Sequence, residues 1–208
     1  MAANVRPKPR KKVLGPRVPP QARQRQLIAV AAELLTDHGE DRVQITDVAE
    51  RAGVSRPLVY RLFPTRQALV RAVLEDFAQF LTQRFQQARG KHGPQDVHEL
   101  VSAYVEACCK AISAKGAGPW LLLDPRGADP QMAQIGREIF LELLNPWQDQ
   151  LGAFLGVSNR RASHVLWIVV TAGRAALGGW IEGTVSRKQA IKDATAVVIA
   201  LLRVLASE

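Results

Sequence analysis

Cysteine is nearly missing from this 208-residue sequence: there are two, Cys108 and Cys109, and they are adjacent. Neighbours on a helix point in different directions, so no structural disulfide is expected between them, and a reducing, cytoplasmic setting suits the chain. Aromatic residues are scarce as well, at 6%, too few to build extended stacking platforms for single-stranded nucleic acid. Long apolar runs are also missing. The longest, Val165 to Gly173, stops at Arg174 and is about half of the ~20 residues that cross a bilayer. The run Leu27 to Leu35 behind the basic start is interrupted by Glu33, and no small-residue cleavage pattern follows, so no export signal is read. A soluble protein without a membrane partner is expected.

The signatures of common enzyme chemistry are absent too. There is no glycine-rich phosphate loop, no HExxH, no CxxC and no GxSxG, which removes the usual nucleotide, zinc and nucleophilic-serine sites. His38, His92, His98 and His164 lack ligand spacing, and surface histidines are the ordinary outcome of such scatter. No catalytic residue, metal or cofactor is expected.

What the sequence does have is positive charge, placed unevenly. The net charge is +9; residues 1–70 carry 13 Lys/Arg against 6 Asp/Glu, and the remainder 15 against 13. A basic end joined to a nearly neutral remainder points to one half that meets a polyanion and another with a different task. Residues 1–22 form a Pro-interrupted basic arm with no acid before Glu33. Such a segment cannot build a core and is suited to tracking phosphates or entering a minor groove.

From Gln24 the pattern is helical: Leu27, Ile28, Ala31, Leu34 and Leu35 recur at the three-and-four spacing of one helix face, with Gly39 at its end. A second helix is predicted over Thr46 to Ala52, capped by Thr46, and a third from a Ser55 cap to about Phe63, with Pro57 in its first turn. Gly53 between them supplies a left-handed turn. Thr65 caps a fourth helix running to about Ala88. Further helices are predicted from Gln95 to Ala114, Arg137 to Phe154, Ser158 to Ile181 and Ser186 to Ala206, the last opened by a Ser186–Gln189 capping box. Gly116, Gly118, Pro119, Pro125, Gly127 and Pro130 make the stretch between Ala114 and Gln131 irregular, with a helical segment resuming near Gln131. The expected fold class is all-α.

Two helices as short as those in Ile45 to Phe63, ITDVAERAGVSRPLVYRLF, hold only when packed against each other and the first helix. That is the physics of a helix-turn-helix. With Val59, Leu62 and Phe63 inward, the third helix presents Arg56, Pro57, Leu58, Tyr60 and Arg61 outward, a face suited to a major groove. Arginine donates twice to a guanine edge, Tyr60 reaches a phosphate, and Leu58 or Pro57 meets a thymine methyl.

The segments AELLTDHG and ITDVAERAGVSRPLVYRLFPTRQAL resemble the DNA-binding domain of the TetR family of bacterial transcriptional regulators, over roughly residues 23–74. The resemblance implies phosphate contacts from Thr46, Tyr60 and the start of the fourth helix, Thr65 and Arg66, and base contacts from the face Ser55 to Arg61. Arg66 stands where the family usually has lysine, which keeps the charge and changes its hydrogen-bonding geometry. Pro57 and Leu58 replace a small polar pair, making base contact more apolar.

For residues 75–208 the resemblance implies a helical domain that dimerises and encloses a small-molecule pocket. Small residues from Ala172 to Gly179, and a stripe of Ile191, Ala194, Val197, Val198, Leu201, Leu202 and Leu205, suit a four-helix interface with a symmetry mate. Candidate pocket residues are Phe80, Tyr104, Cys108, Trp120, Phe140, Trp147, His164 and Trp167, which combine large apolar surfaces with a few polar tips. Trp120 stands out because it lies in the stretch broken by Gly and Pro. The expected partners are double-stranded DNA, a second copy of the chain and an apolar small-molecule effector. The expected function is a ligand-released repressor on a palindromic operator, with an architectural DNA-binding protein of little sequence preference as the alternative.

Overall fold

The computed structural model of the protein describes residues 19–39, 43–91, 97–123 and 129–206. Among these residues the fold is all-helical: α1 Pro20–His38, α2 Ile45–Arg51, α3 Arg56–Leu62, α4 Arg66–Lys91, α5 Val97–Lys115, α6 Ala117–Leu122, α7 Pro130–Leu155, α8 Asn159–Ile181 and α9 Arg187–Ala206. Most of the basic arm, His92, Gly93, Pro94, Pro125 and Gly127 fall outside the described residues.

The first three helices form a small head. Leu27, Ala31, Leu34 and Leu35 of α1, Ile45, Val48 and Ala49 of α2, Val59 of α3 and Phe63 behind it are all buried together. Each large side chain so buried contributes about 1.5–3 kcal/mol, which is what holds two seven-residue helices that could not stand alone. Between α2 and α3, Gly53 adopts φ +63, and Val54 N–H donates to the Ala49 carbonyl at 2.9 Å. The expected left-handed turn is present.

Several boundaries differ from the sequence expectation. α1 begins at Pro20, with Pro19 as N-cap, four residues before the predicted start. Gln21, Arg23, Gln24 and Arg25 are polar, so this turn has no apolar period to show it. The N-cap of α2 is Gln44, not Thr46, whose hydroxyl lies inside the first turn and donates weakly to Asp47 Oδ1 at 3.4 Å. Ser55 does occupy the N-cap position of α3, without a side-chain cap bond. Thr65 Oγ1 accepts from Ala68 N–H at 3.0 Å and so caps α4 as expected.

α4 belongs to both halves. Its early residues Leu69, Val70 and Val73 complete the core beside the head, while Phe77 and Leu81 are buried further along. Ion pairs fix it on two sides: Arg71 to Glu138 of α7 at 2.5 Å and Lys115 of α5 to Asp76 at 2.6 Å.

The stretch predicted as irregular contains a short helix. Packing against α1, not periodicity, accounts for α6. Gly118 N–H donates to Thr36 Oγ1 at 3.0 Å, and a Cβ on Gly118 would stand 2.5 Å from the Leu35 carbonyl carbon and 2.6 Å from the Thr36 nitrogen. Only glycine permits this approach. α7 is likewise one 26-residue helix starting at Pro130 and running through Pro146, where separate segments were expected from Gln131 and Arg137. Its start is set by Asp129, whose carboxylate accepts from the Gln131 and Met132 N–H groups.

α8 and α9 pack on each other, with α7 and α5 on their far sides. Ser158 caps α8 by accepting from Arg161 N–H, and Ser186 caps α9 by accepting from Gln189 N–H at 3.2 Å. The expected capping box is half made, because the Gln189 amide donates to Asp193 instead. By length and composition α8 is long and apolar enough to cross a membrane, more than its longest uninterrupted run had suggested. In the fold it is packed by Val165, Val169 and Leu177. Both cysteines are free.

Candidate functional site

Two features could carry function, an exposed face on the head and a cavity in the helical body. The face belongs to α3. Val59 and Phe63, four residues apart, are held in the core, and this fixes the helix's rotation about its own axis. Arg56 and Tyr60, and Pro57 and Arg61, are likewise four apart and therefore lie side by side on the opposite surface. All four are exposed, Tyr60 by 50%.

The remaining predicted contact residues are less uniform. Ser55 and Thr65 are exposed, Leu58 and Thr46 are half-buried at the rim of the face. Arg66 turns back: it is half-buried and its Nε donates to the Val43 carbonyl at 3.1 Å. Part of its guanidinium therefore serves the fold, joining the start of α4 to the segment before α2. Elsewhere in the head, Arg51 of α2 pairs with Asp37 at 3.2 Å and Glu33 at 3.8 Å on α1. The pairing ties the end of α2 to α1.

The cavity, of about 630 Å³, lies among α4, α5, α6, α7, α8 and α9. This volume is in the range of small-molecule sites, roughly 300–1,000 Å³. Five of the predicted pocket residues line it: Tyr104, Cys108, Trp120, Phe140 and Trp147. Three do not. Phe80 stacks under Arg84 and Lys115, at 4.7 and 5.3 Å from its ring centre. His164 is exposed and Trp167 is 50% exposed on the outer side of α8.

Within the wall, Phe85, Tyr104 and Trp147 meet edge to face with ring centres 5.0 to 5.8 Å apart, a preferred aromatic geometry. Burial pushes the Cys108 thiol up to about 12, with Cys109 beside it adding to the effect, so Cys108 presents a neutral, polarisable surface. Sequence reasoning missed Phe85 and Arg174. Arg174 places its guanidinium 4.3 Å over the Trp120 ring and 5.7 Å from Phe140, and its Nη2 donates to the Trp120 carbonyl at 2.6 Å. The signal that could have found it was the one charge interrupting the apolar run of α8. Among the described residues no group of three His, Cys, Asp or Glu side chains could hold a metal ion.

Comparison with known proteins agrees with this geometry. Residues 27–73 match the family described as bacterial regulatory proteins, tetR family. The HTH-type transcriptional activator FasR of Mycolicibacterium smegmatis is 31% identical over 120 residues, covering 57% of this chain and 54% of FasR. The chain thus spans about half the length of that relative. In fold, a TetR-family regulator from Streptomyces coelicolor covers 90% of this chain and 83% of its own, at TM-score 0.62 and 23% identity. The regulator LfrR of Mycobacterium smegmatis, solved with proflavine, covers 85% of this chain and 95% of its own, at TM-score 0.51 and 23% identity. The head of this chain thus matches the helix-turn-helix of the tetR family of bacterial regulatory proteins, and its all-helical fold is similar over most of its length to that of solved TetR-family regulators.

Proposed function

We propose that the protein is a dimeric, sequence-specific DNA-binding regulator of transcription, released from a palindromic operator when a mainly apolar small molecule occupies its cavity. The observation that carries this reading is the α3 face. Arg56 and Arg61 offer bidentate donors and Pro57 an apolar contact, with Tyr60 between them, on a helix whose rotation is set by Val59 and Phe63. Mixed directional and apolar groups on one helix favour base reading over purely electrostatic contact with phosphates.

The dimer is supported by what remains uncovered. Ala194 is buried and Val198 and Leu202 line the cavity, so only part of the α9 stripe faces inward. Trp167 of α8 and Val197 and Val204 of α9 are exposed large apolar side chains, with Ala175, Ala196 and Ala200 exposed beside them. Small and apolar residues on two adjacent helices suit a bundle with a second copy. The same need accounts for the high apolar content of α8.

The cavity has a physical route to the head. Trp120 lines the cavity from α6, and Gly118 of the same helix is pressed on Leu35 and Thr36 of α1. A ligand that favours a shifted α6 would move α1, and with it the spacing of the two α3 helices. A coupling of ~1–3 kcal/mol lowers operator affinity ~5- to 150-fold. LfrR, solved with proflavine, supports a small-molecule role for the cavity. FasR carries the name of an activator, so release from the operator can lower or raise transcription according to where the operator lies.

The test is selection of bound sequences from a random duplex pool by the purified protein at two salt concentrations. Enrichment of a palindrome is expected. Tight binding at low salt with no enriched sequence would instead establish an architectural DNA-binding protein, and no binding at either salt would remove DNA as a partner.

A further inference from the structure

We propose that the cavity is an elongated slot that reads the length of an unbranched hydrocarbon chain of about twelve to fourteen carbons, with Trp120 as the stop at its inner end and the chain's polar end left at its mouth. The inference rests on the reading of the cavity as the effector site and narrows that effector from an apolar molecule to a chain of defined length.

The lining residues have an order along their helices. Trp120 of α6, Phe140 of α7 and Arg174 of α8 meet at one end, the guanidinium 4.3 Å over the Trp120 ring and 5.7 Å from Phe140, and Cys108 of α5 lies within reach of that charge. From this end the wall runs along α5 from Cys108 back to Val97, along α7 from Phe140 on to Leu151, and along α8 from Leu177 back to Leu166. Each of these three spans covers eleven steps of helix, about 16 Å. A volume of about 630 Å³ over that length leaves an average cross-section of about 40 Å². The space is therefore roughly twice as long as it is wide. A compact molecule of the same volume does not fit it, and a chain does. At ~1.2 Å of reach per bond, as in an extended backbone, about 16 Å corresponds to about thirteen bonds.

The two ends differ. At the first, Trp120, Leu123, Phe140 and Leu177 are buried; at the other, Val97, Leu100, Leu151 and Leu166 are half-buried. The chain therefore enters by the second end, and its tip meets the first. Trp120 is held in place there. Its ring packs on Phe77, with centres 6.3 Å apart, and under Arg174. Its carbonyl accepts from Arg174 Nη2 at 2.6 Å, and α6 is pressed on α1 through Gly118. Arg174 is thus engaged inside the wall, and the tip that meets this end carries no charge. Along the slot, leucine and valine predominate beside the ring cluster of Phe85, Tyr104 and Trp147. Each methylene that enters leaves water until the tip reaches Trp120, and further carbons stay at the mouth.

The experiment is titration of the full-length protein with straight-chain alkan-1-ols of six to sixteen carbons, read by tryptophan fluorescence, to which Trp147 in the wall contributes in every variant. Affinity is expected to rise about fourfold per methylene up to about twelve to fourteen carbons and to level off beyond. Trp120→Ala should carry the rise at least two carbons further. Val170→Trp, on α8 between Leu166 and Arg174, narrows the slot and should end the rise at least two carbons earlier. Should Trp120→Ala fail to fold by circular dichroism, Trp120→Phe and Val170→Trp still decide, because each must move the break in its own direction, whereas a solubility limit of the longer alcohols would move with neither. A rise that continues unbroken through sixteen carbons, or a break at the same length in every variant, would overturn the length reading and leave the cavity as an apolar effector site. Failure of every alcohol to bind would overturn both readings.

Discussion

The head and the helical body of this protein use the same material, amphipathic helices, to opposite ends. In the head, Val59 and Phe63 fill the core completely, and the candidate functional groups are what is left outside. In the body, the core is deliberately incomplete. Helices α4 to α9 meet around a space of about 630 Å³, and the candidate functional groups are those that fail to close it. A surface site needs only a rigid scaffold and a few projecting side chains. A cavity needs many residues from distant parts of the chain to stop short of one another, at the cost of lost packing contacts.

The sharpest way to separate the two regions is to truncate the α3 face. Arg61→Ala is expected to remove about 1–3 kcal/mol of base contact per protomer, and twice that in a dimer, a loss of about 30-fold to about 2 × 10⁴-fold in operator affinity. Circular dichroism and dimer mass should be unchanged, since Arg61 is exposed. Loss of folding with loss of binding would mean that α3 is rotated differently from the orientation set by Val59 and Phe63.

A smaller effect, and one that joins the regions, is expected from Gly118→Ala. The new methyl would meet the backbone of Leu35 and Thr36 at 2.5 and 2.6 Å, and backbone cannot swing aside as a flexible side chain does. Overpacking of this kind costs about 1–3 kcal/mol, readable as a lower denaturation midpoint. Because the displaced helix is α1, operator affinity should fall together with stability. A variant with lowered stability and untouched operator affinity would show that α6 and α1 are not coupled.

The smallest effect is expected at a different joint, where Arg71 of α4 meets Glu138 of α7. The hydrogen bond from Arg71 holds the Glu138 carboxyl below its usual range, with Gln134 assisting, and correspondingly raises Arg71. A carboxylate whose pKa is lower in the folded than in the unfolded state stabilises the fold above the ordinary carboxylate range. That contribution is lost as pH falls through the lowered value. Glu138→Gln should therefore lower Tm slightly at neutral pH, and the difference should vanish in acid. A difference that persisted unchanged in acid would assign the effect to packing, not charge.

Much of the head was legible because its signals are local. The spacing of Leu27, Ala31, Leu34 and Leu35, the glycine at 53 and the three-residue reach from Thr65 to Ala68 all act within one or two turns of chain. Thr46 misled because a threonine beside an apolar run looks like a cap, whereas Ile45 is already helical and buried, and the cap lies two residues earlier, at Gln44. In the body, long helices were legible and their joints were not. Pro119 and two flanking glycines read as breakers, yet α6 forms there because α1 receives it. Tyr104, Trp120 and Trp147 were found as large side chains with polar tips; Trp167, with the same description, faces outward. Amino-acid type does not say which side of a helix meets a void.

By itself the sequence determined the all-helical class, the helix-turn-helix and the residues on its outer face, because helix period and turn chemistry are properties of neighbours in the chain. Only the tertiary structure decided that Gly118 lies on α1, that Arg66 turns back to Val43, and that Arg174 enters an apolar cavity to hold the Trp120 carbonyl. Those pairs are separated by 82, 23 and 54 residues, and which distant surfaces meet depends on the packing of all the helices together.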